Sequence, residues 1–317
     1  MIRTMLLAAA VLLLGFQHYV QPITEQVQMI IFLSGIILLG VPHGAADLLV
    51  ANQNADHSKL PFSKVRFFVN YLGRLVLFAV FIWLFPLAGN LLFIVFAAYH
   101  FGETDLHEFK TNSIAGKIFV ISYGLLILGV ILLQHFEELR PMFQLFDAGL
   151  RHASFINWLD QNRYVVLSFC ALFFFIATFY YFSCVDIGQY HSGKFLLQLA
   201  VLLLVLYYLP MTLGFSFYFI AWHSILSLRN IVQYLRKNNL YSFAVIAKQI
   251  GLYSFLALAG ISIFGLSGFM FANNNAMMVY VFLGLAVLTA PHMQIMHDMY
   301  KSIRANHTNN NALPVPK

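Results

Sequence analysis

The chain has 317 residues, of which 61% are hydrophobic and only 9% charged, and its mean hydropathy is +0.78. A soluble domain carries roughly 25% charged residues to hydrate its surface, so this composition excludes a water-soluble globule. The formal charge of +6 does not mark a nucleic-acid binder, because the Lys and Arg are scattered through short connections and form no stripe.

A bilayer-spanning helix needs roughly 17–25 mostly apolar residues. The sequence predicts an all-α, polytopic integral membrane bundle of about ten transmembrane helices. In chain order they cover 4–20, 27–50, 65–87, 90–107, 115–135, 163–183, 194–210, 212–235, 243–268 and 276–300. The first resembles a signal peptide, but no small-x-small cleavage site follows Leu14, so it reads as a membrane helix. The long gap at 136–162 predicts a short interfacial helix. Pro210 marks either a turn between two spans or a kink. Residues 1–305 read as one transmembrane domain, and 306–317 as a disordered polar tail.

Charge orients this bundle. With the N-terminus inside, inner segments hold Arg3, Lys59, Lys64, Arg66, Lys110, Lys117, Lys194, Arg229, Arg236, Lys237, Lys248, Lys301, Arg304 and Lys317. Outer segments hold only Arg140, Arg151 and Arg163. That positive-inside bias predicts both termini in the cytoplasm. It also supports a turn at Pro210, since an odd number of spans there would reverse every later loop. Cys170 and Cys184 lie on one helix or its edge, roughly 21 Å apart. They are too distant to be joined, and read as free thiols.

Ionisable groups within a bilayer are costly and mark function. Of twelve histidines, His18, His57, His107, His135, His152, His191 and His307 fall at helix ends or in loops and read as interfacial. His43, His100, His223 and His292 fall well inside the second, fourth, eighth and tenth helices. Those four helices run in one direction, and their histidines lie in a band roughly 15–24 Å from the outer end. Four imidazoles at a shared depth predict convergence on one centre suited to Fe, Zn or Cu. Asp47 follows His43 by four residues and Glu103 follows His100 by three, so both read as carboxylates that support the histidines. Tyr99 and Trp222, each beside a histidine, read as further supporting groups. Gly44 and Gly102 leave room for a helix, a substrate or the metal to come close.

The sequence has no HxxxH or HxxHH box, no HExxH, no GxSxG and no Walker A motif. The residues alone leave open a metal-dependent enzyme, a haem redox protein with paired histidines, and a transporter with a histidine-lined proton path.

GVPHGAAD, YHFGETD, WHS and the late PHM resemble, in order and spacing, the Brp/Blh family of membrane β-carotene 15,15'-dioxygenases, over roughly residues 35–300. The resemblance implies Fe(II) held by histidines. It implies cleavage of β-carotene with O2 at the central double bond to two all-trans-retinal molecules, within the lipid bilayer, and hand-over of retinal to a microbial rhodopsin. His43, His100 and His223 match family histidines. The family's WHSxRH motif has a second histidine where this chain has Ser227. His292 then completes the set, or the site has three histidines and an open position. The departure keeps in view a non-catalytic carotenoid- or retinal-binding protein.

Overall fold

The computed structural model describes residues 1–140, 152–185, 192–237, 241–266 and 274–310, and every regular element among them is a helix. In chain order they are α1 (Ile2–Val20), α2 (Glu25–His57), α3 (Lys64–Leu84), α4 (Pro86–Asp105), α5 (Ile114–Gln134), α6 (Ala153–Cys184), α7 (Ser192–Tyr208), α8 (Met211–Arg236), α9 (Phe243–Leu266) and α10 (Asn274–Asn310). Among the described residues, seven helices are long and apolar enough to cross a membrane: α1, α2, α3, α5, α6, α8 and, over Phe243–Gly260, α9. The chain is thus an all-α, polytopic membrane bundle.

Local sequence sets the boundaries. Ser63 and Ser113 cap α3 and α5, their hydroxyls accepting from the backbone N–H groups of Arg66 and Gly116. Pro86 opens α4 at a position where no donor is needed. Pro210 separates α7 from α8 as a turn, and the free Met211 N–H donates to Glu138 Oε2 at 3.2 Å. Residues 136–140 of the expected interfacial helix are helical, while 141–151 lie outside the described residues. Helix α6 begins at Ala153, well before the expected 163. Helix α10 runs to Asn310, into the stretch expected to be a tail, and 311–317 lie outside the described residues, as does His191. Cys170 and Cys184 are free.

Two helices form the axis. The apolar window of α5 is 72% buried and that of α8 is 78%, against 11% for α3, so α5 and α8 are walled by protein while α3 faces outward. Small residues let α4 lie against α5. A side chain on Gly102 would overlap the Val120 carbonyl, and one on Gly124 the Ala98 carbonyl. Polar contacts then sort the turns between two ends. At one end Arg3 Nη2 donates to the Asp105 carbonyl (2.6 Å), Arg304 Nη1 to Thr111 (3.3 Å), and His57 pairs with Ser302 (3.0 Å). At the other, His18 and His135 each lie 3.1 Å from a carbonyl of α7, those of Tyr208 and Leu206.

Two of the histidine-bearing helices, α2 and α8, depart from α geometry close to their histidines. In α2, Ile36–Gly40 is a π-helical segment directly before Pro42 and His43. Proline lacks the N–H that an α-helix needs, and a wider turn absorbs that loss. Another interruption follows at Ala46, just before Asp47. In α8, nine residues, Ser216–Ser224, are π-helical and include His223. Pro291 sits inside α10 beside His292.

Candidate functional site

Each of the four histidines is carried by a different helix: His43 by α2, His100 by α4, His223 by α8 and His292 by α10. All are buried, with His223 fully enclosed. Their rings meet edge to face around a closed circuit. Centroids lie 5.5 Å apart for His43–His223, 4.8 Å for His223–His100, 5.0 Å for His100–His292 and 5.0 Å for His292–His43. His43 thus faces His100 across the ring, and His223 faces His292.

This spacing bears on metal binding. Imidazoles bonded to one ion at about 2.1 Å have ring centres about 3 Å from it and about 5 Å from one another, as these do. Both ring nitrogens of His100 and of His223, and Nε2 of His292, are buried without a hydrogen-bond partner, a costly state for groups that lack a ligand. As the rings stand, no set of three His, Cys, Asp or Glu side chains among the described residues has its donor atoms gathered to hold an ion. The backbone sets ring spacing, whereas side-chain torsions aim the nitrogens. The residues fit one ion in type and spacing, and rotation of the rings is what separates that spacing from a closed ligand set.

One ring is oriented by a carboxylate. His292 Nδ1 donates to Asp47 Oδ1 at 2.7 Å, and Tyr71 of α3 donates to Asp47 Oδ2 at 3.1 Å. Asp47 is buried, so this chain fixes the His292 tautomer and leaves Nε2 buried and without a protein partner. The sequence offered Asp47 to its own helix neighbour His43, whereas the fold gives it to His292, 245 positions away. Tyr71 had no local signal, because its partner lies on another helix.

The other candidate supporting residues stand in a second polar layer. Glu103 is buried and accepts from His297 Nδ1 (3.0 Å) and Arg304 Nη2 (2.8 Å), both on α10. The ring of Tyr99 lies 5.9 Å from that of His297. Trp222 Nε1 donates to Asp105 Oδ2 at 3.0 Å, alongside the hydroxyls of Tyr123 (2.9 Å) and Tyr218 (3.1 Å). None of the three is hydrogen-bonded to the four histidines. Ser227 is fully buried, its hydroxyl 3.9 Å from the Met296 sulfur, one turn beyond His292.

The four histidines line one cavity of about 480 Å³, within the range of ligand sites. Its other walls are almost wholly apolar, with Phe101 and Phe219 against His223 at 4.6 and 6.1 Å between centroids. Gly44 lines it too, and nothing lies within 4 Å of where its side chain would be. Of the two glycines that follow histidines, Gly44 leaves room in the cavity and Gly102 admits helix α5. The other aromatic residues near the motifs are elsewhere: Phe96 is exposed, and Tyr218 is held at Asp105.

No curated protein and no solved structure matches this chain. The family described as Beta-carotene 15,15'-dioxygenase matches residues 34–300, a range that takes in all four histidines and both ends of the cavity wall. The chain belongs to the β-carotene 15,15'-dioxygenase family.

Proposed function

We propose that this protein is an iron-dependent dioxygenase that cleaves β-carotene at its central 15,15' double bond, using O2, to give two molecules of all-trans-retinal. The observation that carries this reading is the ring of four buried imidazoles on the wall of one apolar cavity. An apolar polyene dissolves in the bilayer, and this cavity is built to receive apolar matter with histidines at its wall.

His43, His100, His223 and His292 would hold Fe(II), which supplies the electrons that make O2 reactive toward a carbon–carbon double bond. One C=C is replaced by two C=O groups, so both atoms of one O2 enter the products and no other reactant is needed. The protein's own groups do the remaining work. Asp47 and Tyr71 hold His292 in one tautomer and orientation. The apolar walls exclude water and align the polyene, and the faces of Phe101 and Phe219 stabilise positive character on it during attack. In the same reading the protein lies in a bacterial inner membrane with both termini cytoplasmic, and passes retinal to a microbial rhodopsin.

Expression in β-carotene-producing bacteria tests this. Wild type is expected to bleach the orange cells and yield retinal, and His43→Ala to remain orange while inserting normally in the membrane. Retinal formation by His43→Ala at the wild-type level would remove His43 from the ligand set. Intact pigment with the inserted wild type would overturn the cleavage reading.

A further inference from the structure

Central cleavage imposes a condition on access. The reacting bond lies in the middle of a long chain, so two apolar arms must lead away from the histidines while the bond is held there. The cavity wall shows where they go. On α3, Phe68, Leu72 and Leu75 lie on one helical face and line the cavity, and on α9 Tyr253, Leu256 and Ala257 do the same. On α10, Leu288 stands one turn before His292. Residues that line an enclosed chamber are buried, but here Leu72 is 55% exposed, Leu256 54%, Phe68 41% and Leu288 41%. Leu72 and Leu256 face the cavity and the outside of the bundle together, in the middle of α3 and α9, which are long and apolar enough to cross a membrane, so the outside these two face is lipid. Helix α3 packs on α4 and α10, and α9 packs on α2 and α8, so each is anchored by different neighbours. Phe68 and Tyr253 meet across the gap between them, with ring centroids 6.4 Å apart.

We propose that the slit between α3 and α9, rimmed by Leu72, Leu256 and Leu288 and bridged at one point by Phe68 and Tyr253, is a lateral opening through which a linear apolar polyene passes between the bilayer and the histidine ring. The proposal rests on the β-carotene reading for its ligand, and names the residues that set which polyenes enter. A sideways slit lets a long chain move in broadside, midpoint first, without threading an end group past the histidines. Leu72, Leu256 and Leu288 on the rim are apolar, so width at these three residues selects the ligand.

The test uses full-length protein in β-carotene-containing liposomes, with oxygen excluded so that uptake is read without turnover. Pigment retained on the repurified protein is followed over time by absorbance, and iron content is measured in parallel. Leu72→Trp and Leu256→Trp are expected to slow loading at least tenfold with unchanged iron content. Leu77→Trp, on the same helix and 71% exposed but away from the cavity, is expected to load as wild type does. Leu72→Ala with Leu256→Ala widens the rim and is expected to speed loading. Equal loading of Leu72→Trp, Leu256→Trp and Leu77→Trp would overturn the opening and leave the dioxygenase reading intact. Loading slowed by the rim variants, in a wild type that forms no retinal once air is admitted, would overturn the dioxygenase reading and leave the opening standing. Failure of wild type to retain any pigment would overturn the opening.

Discussion

At the scale of single residues, the Tyr71–Asp47–His292 chain separates positioning from ligation. Asp47 accepts two hydrogen bonds and touches only one of the four histidines. Groups that orient a metal-bound histidine typically contribute 10–100-fold to metal affinity or activity. Asp47→Ala is therefore expected to lower iron affinity about tenfold or more, read by metal analysis after dialysis against a graded chelator. Tyr71→Phe removes one hydrogen bond, worth about 1 kcal/mol, and is expected to lower iron affinity less than tenfold. An Asp47→Ala protein that holds iron as tightly as wild type would show that His292 needs no such support. Glu103→Gln acts elsewhere, because its partners are His297 and Arg304. It is expected to reduce thermal stability while Fe(II) affinity stays within about threefold of wild type, and a larger loss of iron would tie Glu103 to the centre.

At the scale of elements, the π-helical segments and the glycine seam place the histidines. A π turn lets an extra residue bulge from a helix without ending it, and the segments in α2 and α8 precede or contain His43 and His223. The seam between α4 and α5 fixes the third ring. Gly124 meets the Ala98 carbonyl, two residues before His100. Gly124→Ala must push the helices apart, and overpacking of this kind typically costs about 1–3 kcal/mol. The expected result is a lower unfolding midpoint in detergent, together with reduced iron content because His100 moves with its helix. Gly44→Ala meets no atom within 4 Å, so it is expected to leave the unfolding midpoint nearly unchanged.

At the scale of the whole molecule, the bundle brings Arg3 of the first helix and Arg304 of the last toward one end. Arg3 near the start reaches the end of α4, and Arg304 near the close reaches Glu103 and Thr111. Reporters fused to the N- and C-termini are thus expected to respond on the same side of the membrane. Opposite responses would require an odd number of crossings.

The sequence by itself determined the class of the molecule, because so few charges place it in lipid and its long continuous apolar runs, unlike the alternation of barrel strands, satisfy their backbone there as helices. It favoured a turn at Pro210 through the charge count, whereas the expected span 65–87 ran past Pro86, which opens α4 because its ring fixes φ and it has no N–H to donate. It also determined the four histidines, since an imidazole at mid-helix in a membrane needs a reason wherever its helix goes. The tertiary structure alone decided the partners. Asp47 and Glu103 were legible as carboxylates near histidines, but helical spacing could offer them only neighbours on their own helices. Which helix stands across from which is settled by packing, and that gave Asp47 to His292, Glu103 to His297 and Arg304, and Trp222 to Asp105. Tyr71, Leu72 and Leu256 carried no signal at all, because a tyrosine or leucine in a membrane helix looks the same in sequence whether it faces lipid, core or cavity.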